Sequence, residues 1–388
     1  MECLEWINDE LKQVHDNNLF RYLTELQTGQ SPEILIDGKK YILLASNSYL
    51  GLSMDPGVVK AAEEALHKYG TGSGGSRLVS GSSDLHRQLE EKIASFKNTE
   101  SAILFSSGYL ANVGTISAIV GPDDFVYSDE LNHASIIDGC RLSKAGLRIY
   151  SHLNYEELDT LLSKDSNAGK KLVVTDTVFS MDGDLADLKI LTEICDKHGA
   201  MLMVDEAHAT GVLGERGSGA TEHFNIENKV PIVMGTLSKA VGSLGGYIAG
   251  SRDLVDFIRN RVRSYIFDTS LPAPSLAASL KSIEIIETDK ERREHLWKII
   301  NIFKSGLSEL GYNVIPSNSA IVPVLTGDPG PTLEIASKLR EEGVFTPAVR
   351  PPSVAPGKCR IRSSLMSSHT VKQIEEALSA FDKARDRD

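Results

Sequence analysis

Seven short apolar runs between residues 101 and 250 constrain this chain more than any other feature. They are "SAILFSS", "DFVYSD", "LRIYSH", "KLVVTD", "AMLMVD", "VPIVMG" and "GGYIAG", each ending in polar residues or glycine. Runs of this length read as strands, and strands apolar on both faces belong to a sheet covered on both sides. Several are separated by segments of helical period, and upstream "VVKAAEEALHKYG" and "LHRQLEEKIASFKN" have the same character. The pattern predicts a large α/β domain built on a mostly parallel sheet.

The flanks read differently. "MECLEWINDELKQVHDNN" reads as an amphipathic helix with Leu4, Ile7 and Leu11 on one face. "EILIDGKKYILLAS" places two apolar runs around Asp-Gly, a hairpin signal. After "SLPAPS" comes a long helical stretch, "LAASLKSIEIIETDKERREHLWKIINIFKSGLSEL", expected to break along its length. It is followed by a strand "AIVPVLTG", a helix "TLEIASKLREEG", strands "FTPAVRPP" and "KCRIRSSL", and a helix from about Thr370. The expected organisation is an arm at 1–50, a large domain at 51–280 and a smaller C-terminal α+β domain at 281–388.

At 388 residues the chain exceeds one ordinary domain, and its net charge of −12 argues against general nucleic-acid affinity. Cys3, Cys140, Cys195 and Cys359 are isolated, without zinc-site spacing, so no metal is expected and a reduced cytoplasmic setting is. No run of 18 apolar residues is present and the N-terminus lacks a signal core, so no membrane association is expected.

In open α/β sheets ligands bind beyond the carboxyl ends of the strands. "ILFSSGYLAN" leaves Ser106, Ser107, Gly108 and Tyr109 at the start of a helix, a suitable phosphate cup, although such turns also serve purely steric ends. "KLVVTDTVFSMDGD" leaves Ser180, Asp182 and Gly183 beyond a strand. "AMLMVDEAHATGVLG" closes an apolar strand with Asp205 and carries His208 three residues on. A carboxylate there needs backbone donors, as at a helix cap, or a cationic partner such as a protonated ring nitrogen.

Lys239 in "GTLSKAVGSLGG" is the one charged residue of its stretch. A confined amine loses its proton more readily and becomes a nucleophile, unless the side chain reaches past its small neighbours to solvent. Thr236 and Ser238 stand beside it as hydrogen-bond donors, and Gly235, Gly242, Gly245 and Gly246 are expected to let a flat ring approach the backbone. Phosphate donors, a carboxylate for a pyridinium nitrogen and a Schiff-base lysine together describe pyridoxal 5′-phosphate (PLP). A plain nucleotide-binding protein is disfavoured, because no G-x-G-x-x-G turn follows the first strand.

Over essentially its whole length the chain resembles the α-oxoamine synthases, PLP enzymes of the aspartate-aminotransferase-like (type I) fold. The resemblance lies in "SNSYLGL", "GTGSGGSRLVSG", "FSSGYLAN", "LNHASIIDG", "VFSMDGDLADL", "VDEAHATGVLG", "GTLSKAVGSLGG", "FDTSLPAP" and "VRPPSVAPGKCRIRSSL". It implies that Lys239 carries the cofactor, that Asp205 pairs with the pyridinium nitrogen and that His133 stacks on the ring. It places His208 and Ser180 near the phenolic oxygen and Ser107, Gly108, Tyr109 and Thr236 around the phosphate. Thr269 and Ser270 match positions reaching the neighbouring subunit's cofactor, which implies a homodimer with shared sites.

For the substrates the resemblance implies Arg21, Asn47, His133, Ser353 and Arg362, with Arg362 on the amino-acid carboxylate. Ser353 stands where threonine is common and keeps the hydroxyl. Arg360 lies two residues from Arg362 on the same strand face, and the sequence does not separate them. "HATGVLG" and "VRPPSVAPG" are most similar to the branch that condenses L-alanine with a pimeloyl thioester of CoA or acyl-carrier protein. The alternative is glycine C-acetyltransferase or another α-oxoamine synthase of different acyl specificity, but glycine C-acetyltransferases usually have a cysteine-containing turn where this chain has "SSGYLAN". A catalytically silent partner subunit typically lacks the lysine, and Lys239 is present.

Overall fold

The computed structural model describes residues 2–165 and 169–385. The chain forms two compact units: Leu50–Ser180 with Asp184–Arg293, and Met1–Tyr49 with Met181–Gly183 and Glu294–Asp388.

In the second of these, the N-terminal helix Trp6–Asp16 has no buried residue, and Leu4 falls in a preceding 3-10 turn. The Asp-Gly signal forms its hairpin: β1 (Glu33–Ile36) and β2 (Lys39–Leu43) pair antiparallel. Both turn residues, Asp37 and Gly38, take positive φ, the geometry for which Asp-Gly is suited.

The larger unit is organised by a seven-stranded sheet, and all seven apolar runs supply a strand. These are β3 (Ser101–Phe105), β4 (Phe125–Asp129), β5 (Gly146–Tyr150), β6 (Lys171–Asp176), β7 (Met201–Asp205), β8 (Ile232–Thr236) and β9 (Gly246–Gly250). Their order is β3-β9-β8-β7-β6-β4-β5, parallel throughout except that β9 runs antiparallel to both neighbours. Strands β6, β8 and β9 are buried at every residue, as expected of a sheet with both faces covered. Chain order reverses around β4, since β5 lies on one side of it and β6 on the other. The crevice at such a reversal is the usual ligand position in open sheets.

Helix Gly108–Ile119 buries Ala111, Ile116 and Ile119 in the core cluster that includes Ile103, Val126, Val174, Met203 and Ile248. The long helical stretch breaks at Asp289, giving helices Ala273–Thr288 and Lys290–Glu309.

In the smaller unit, β10 (Ile321–Gly327) is followed by helix Pro329–Glu341 and then by two short strands, β11 (Val344–Phe345) and β12 (Ala348–Val349). "FTPAVRPP" was expected as one strand. It splits because β11 pairs parallel with β2 whereas β12 pairs antiparallel with β13 (Cys359–Ser364), placing the two pieces in different sheets. Pro347 lies between them and has no N–H to offer a ladder. The sheet order is β10-β13-β12, and the closing helix Val371–Ala384 starts at the Thr370 capping box.

Two charge networks brace the larger unit. Lys97, fully enclosed, donates to the Glu206 carboxylate, to Thr210 Oγ1 at 3.0 Å and to the Ser218 carbonyl. Burial opposes charge on this amine, but Glu206 and Tyr247 more than offset it and hold the amine above its ordinary pKa. The second network is an imidazole between two acids: His152 Nδ1 lies 2.9 Å from Asp129 and Nε2 lies 2.7 Å from Asp184. Burial works against protonation there too, yet the two carboxylates lift His152 from 6.5 to about 10.

Lys97→Met leaves Glu206 buried without its cation, and chemical denaturation is expected to show a loss of about 3–5 kcal/mol. Lys97→Met combined with Glu206→Leu recovers most of that loss, since it removes both charges; a double variant no more stable than the single one contradicts the account. For His152 the folded state binds the proton more tightly. The stability it contributes is therefore fully present below pH 6.5 and lost as the pH rises towards about 10. His152→Gln should accordingly lower the melting temperature most just below pH 6.5, with the gap from the parent closing by about pH 10.

Candidate active site

In the larger unit the carboxyl ends of β4, β6, β7 and β8 bring four groups to one edge of the sheet. Asp205 ends β7 and is buried; its Oδ2 accepts from Asn112 Nδ2 at 2.7 Å and its Oδ1 from the Ala207 amide at 2.8 Å. One oxygen is therefore satisfied by backbone and the other by a side chain. Asn112 also donates to Ser135 Oγ at 2.9 Å, linking its helix to the turn after β4.

Lys239 lies three residues past β8 and is half-buried. Its Nζ sits 2.7 Å from Nε2 of His208, a buried ring on the turn after β7. The amine thus turns inward to an imidazole and does not extend to solvent. Thr236 and Ser238 do not serve it as expected. Thr236 Oγ1 donates to the Gly245 carbonyl at 2.9 Å and Ser238 Oγ to the same carbonyl at 3.4 Å, so both hydroxyls close the loop that carries the lysine.

The glycines of "GTLSKAVGSLGG" also have a different purpose from the one expected. A Cβ on Gly235 would stand 2.2 Å from the Tyr247 hydroxyl, and one on Gly242 would stand 2.4 Å from the Ser53 amide. A Cβ on Gly245 would meet Leu271 at 2.8 Å, and one on Gly246 would meet Gly108 at 2.6 Å. These are protein-to-protein approaches, so the glycines let the lysine loop pack and do not make room for a flat ring.

His133 caps helix Ala134–Ser143. Its backbone N–H donates to Asp176 Oδ2 at 2.7 Å, and its Nδ1 accepts the Ser135 amide at 3.3 Å. An acceptor at Nδ1 leaves the proton of the neutral ring on Nε2. Burial lowers the pKa of the ring; Asp205 opposes that shift and Lys239 adds to it, with a net value below the usual 6.5. The ring lies edge-on to Tyr109, with centroids 6.3 Å apart, and the Tyr109 hydroxyl is bonded to Asp138.

Ser107 caps helix Gly108–Ile119, its Oγ accepting the Leu110 amide at 3.2 Å. The first amides of a helix have no partner within it, so Gly108 and Tyr109 present N–H groups at the positive end of the dipole. A Cβ on Gly108 would lie 2.8 Å from Met234 and 3.4 Å from Thr236, which sets this turn directly against β8. Ser180 closes its segment of the unit and is half-buried. Thr269 and Ser270 are fastened to "GTGSGGSRLVSG": Thr269 bridges to Ser76, and the Ser270 amide donates to the Gly75 carbonyl at 3.1 Å.

The remaining residues belong to the smaller unit. Arg362 on β13 is buried, with Nη1 donating to Ser364 Oγ at 2.9 Å and Nη2 to Asn47 Oδ1 at 3.3 Å. Tyr49 donates to the same Asn47 oxygen at 3.1 Å. Arg360 is engaged otherwise, by the Asp182 carboxylate at 2.5 Å and by the carbonyls of Met181 and Lys358 at 3.1 Å each. That partnership distinguishes two arginines that the sequence leaves equivalent. Arg21 is exposed and donates to the carbonyls of Pro351 at 2.9 Å and Leu19 at 3.3 Å, and exposed Ser353 lies in the turn just beyond Pro351.

Three contributors were missed from sequence: Asn112, Asp176 and Tyr49. Asn112 ends the quoted "SSGYLAN", and Asp176 ends its strand as Asp205 does, so the strand-end pattern could have found it.

Chemically, the donor set in the larger unit fits PLP. It combines an inward-turned amine, a buried carboxylate with room for a third donor, a histidine capping the neighbouring turn and a helix start for a phosphate.

Comparison with known proteins agrees. The model of the class I and II aminotransferases matches residues 39–381. An 8-amino-7-oxononanoate synthase of Symbiobacterium thermophilum is 45% identical, covering 99% of this chain and 98% of its own. The 8-amino-7-oxononanoate synthase 2 of Bacillus subtilis is 44% identical over 98% and 97%. Among solved structures, a serine palmitoyltransferase of S. paucimobilis with bound PLP superposes with a TM-score of 0.94 at 35% identity, covering 99% of this chain and 97% of its own. An 8-amino-7-oxononanoate synthase from Francisella tularensis gives 0.77 at 30% identity, over 88% and 97%. Several relatives at 44–45% identity over nearly the full length are named 8-amino-7-oxononanoate synthase, and the chain belongs to the class I and II aminotransferase family, with the aspartate-aminotransferase-like fold.

Proposed function

We propose that this chain is a PLP-dependent acyltransferase that condenses L-alanine with a pimeloyl thioester to give 8-amino-7-oxononanoate, CO2 and free thiol, a step of biotin biosynthesis. The observation that carries the reading is 41–46% identity, over nearly the full length, to several synthases of that name. When bound, the cofactor supplies an electron sink that acidifies the Cα–H of the amino acid.

The chain's own groups do the rest. Lys239 would hold the cofactor, and its amine would take the Cα proton of alanine as general base. Asp205, fixed by Asn112 and Ala207, holds the proton on the pyridinium nitrogen. His133 would lie beside the bound cofactor, and its Nε2–H would donate to the thioester carbonyl oxygen while the new carbon–carbon bond forms and the thiol leaves. His208 and Ser180 would lie near the phenolic oxygen, and Ser107, Gly108, Tyr109 and Thr236 would hold the phosphate and cradle the cofactor. Arg362 takes the alanine carboxylate as a fork until it departs as CO2. Arg21, Asn47 and Ser353 serve the acyl chain.

In the same reading the chain works as a cytoplasmic homodimer in which Thr269 and Ser270 reach the partner's phosphate. In support, all four cysteines are free, and among the described residues no helix is long and apolar enough to cross a membrane.

Lys239→Ala is expected to lose the visible absorbance of the bound cofactor and to drop turnover by at least about a thousandfold. Asp205→Asn should keep cofactor bound while slowing exchange of the alanine α-proton in deuterated buffer by about a hundredfold. Product mass from alanine or glycine with a panel of acyl thioesters tests the substrates. A preference for glycine and acetyl-CoA overturns the assignment, and pimeloyl-CoA against pimeloyl-carrier protein identifies the donor.

A further inference from the structure

Three neighbouring strands end in aspartate: β4 in Asp129, β6 in Asp176 and β7 in Asp205. The strands are adjacent in the order β7-β6-β4, and Asp176 stands in register with Asp205. All three side chains are buried, at 2–3% exposure. Strands in a sheet are about 4.8 Å apart, so the in-register Asp176 and Asp205 would repel strongly in a poorly solvated setting if both were ionised. Asp129, whose neighbour Ser128 pairs with Val174, stands one residue out of register and adds less.

Their compensation is unequal. Asp129 receives the amides of Leu131 and Leu153 at 2.9 Å each, and the doubly anchored His152 beside it is a cation. Asp205 receives Asn112 and Ala207. Asp176 lies between them, and the donor it receives among the described residues is the backbone N–H of His133 at 2.7 Å. The charged groups acting on it are Asp205, Asp129 and Lys239; burial comes first and Asp205 second in driving its carboxyl well above the usual range, against the His133 amide and Lys239.

We propose that Asp176 is carried as a neutral carboxylic acid at neutral pH, its carbonyl oxygen holding the His133 amide, so that Asp205 is the single anion offered to the cofactor nitrogen. Asp176 is then a positioning residue. It fixes the cap from which the His133 ring projects, and by staying neutral it does not compete with Asp205 for the heterocycle's proton. The protonation follows from the sheet edge alone, whereas its role towards the cofactor rests on the proposed function.

Infrared spectroscopy of the protein free of cofactor, with and without carboxyl-13C aspartate, tests the protonation directly. At pH 7 a protonated carboxyl stretch should be present, move with the label and disappear in Asp176→Asn. Its absence in the labelled parent protein overturns the proposal even if the variant fails to fold. In the PLP-loaded protein Asp176→Asn, which keeps the carbonyl acceptor and the neutral charge, should leave the pH titration of cofactor absorbance unshifted and kcat within about threefold. Asp176→Ala should lower kcat by about tenfold or more with little change in KM for alanine. A shifted absorbance titration in Asp176→Asn overturns the neutral state. Because the infrared band needs no cofactor, failure of PLP to bind would refute the proposed function and leave the protonation test standing.

Discussion

A parallel sheet gathers its carboxyl ends on one edge, and here that edge collects buried negative charge faster than water can compensate it. The surrounding structure answers to this constraint. His152 is placed between Asp129 and Asp184, which ties the end of β4 to the turn after Val178. Asn112 crosses from the helix after β3 to hold Asp205 and Ser135 together, so one amide sets the distance between two turns. The charged pair Lys97–Glu206 occupies the residue next to Asp205, so the "DEAH" turn is held by Asp205 and Glu206 in succession. His208 then projects from a fixed turn, and Lys239 meets it from the next strand.

The same constraint explains what could be read from the chain. Most of the seven strands were legible because both their faces are buried, which makes the runs apolar; β5, at the end of the sheet, is buried only at Tyr150. The direction of β9 was not legible, since an antiparallel strand covered on both faces has the same composition as its parallel neighbours. Nor was the grouping of residues 1–49 with 294–388. It is made by long-range backbone pairing: β2 with β11, the Ser364 amide with the Leu44 carbonyl at 2.9 Å, and the Ser367 amide with the Tyr49 carbonyl at 2.7 Å. No local period reports such partners.

Site residues divide the same way. Asp205, His208 and Lys239 stood out because polar groups at the ends of apolar strands are costly unless used. The roles of their small neighbours were misread, since a glycine admits any close approach and the sequence does not say which. Gly246 makes the point: its missing Cβ lets β9 meet the Ser107–Gly108 turn, whose carbonyl and Cα lie 2.6 Å from where that Cβ would be. The lysine loop and the Ser107–Gly108 turn are thereby held to each other by backbone packing. Arg360 and Arg362 show the converse case. Two identical side chains on one strand face separate only when Asp182 occupies one of them.

Backbone likeness alone would have pointed to a different substrate. The serine palmitoyltransferase fits with a TM-score of 0.94, against 0.77 for the Francisella 8-amino-7-oxononanoate synthase, although full-length relatives at higher identity carry the latter name. The physical reason is that the cofactor machinery is common property. An anchored amine, a carboxylate under the pyridinium and a helix start at the phosphate are needed for any Cα–H activation, and they dictate the strand ends, turns and glycine contacts that a superposition scores. Acyl specificity asks only for a few side chains on loops whose backbone need not change. In this chain the "NNLFRYL" and "VRPPSVAPG" segments are tied by side chains of this kind: Arg350 donates to the carbonyls of Asn18 and Phe20, and Arg21 donates to that of Pro351. A fold comparison is blind to exchanges of this kind, so the relatives of higher identity decide between the two names where the better superposition does not.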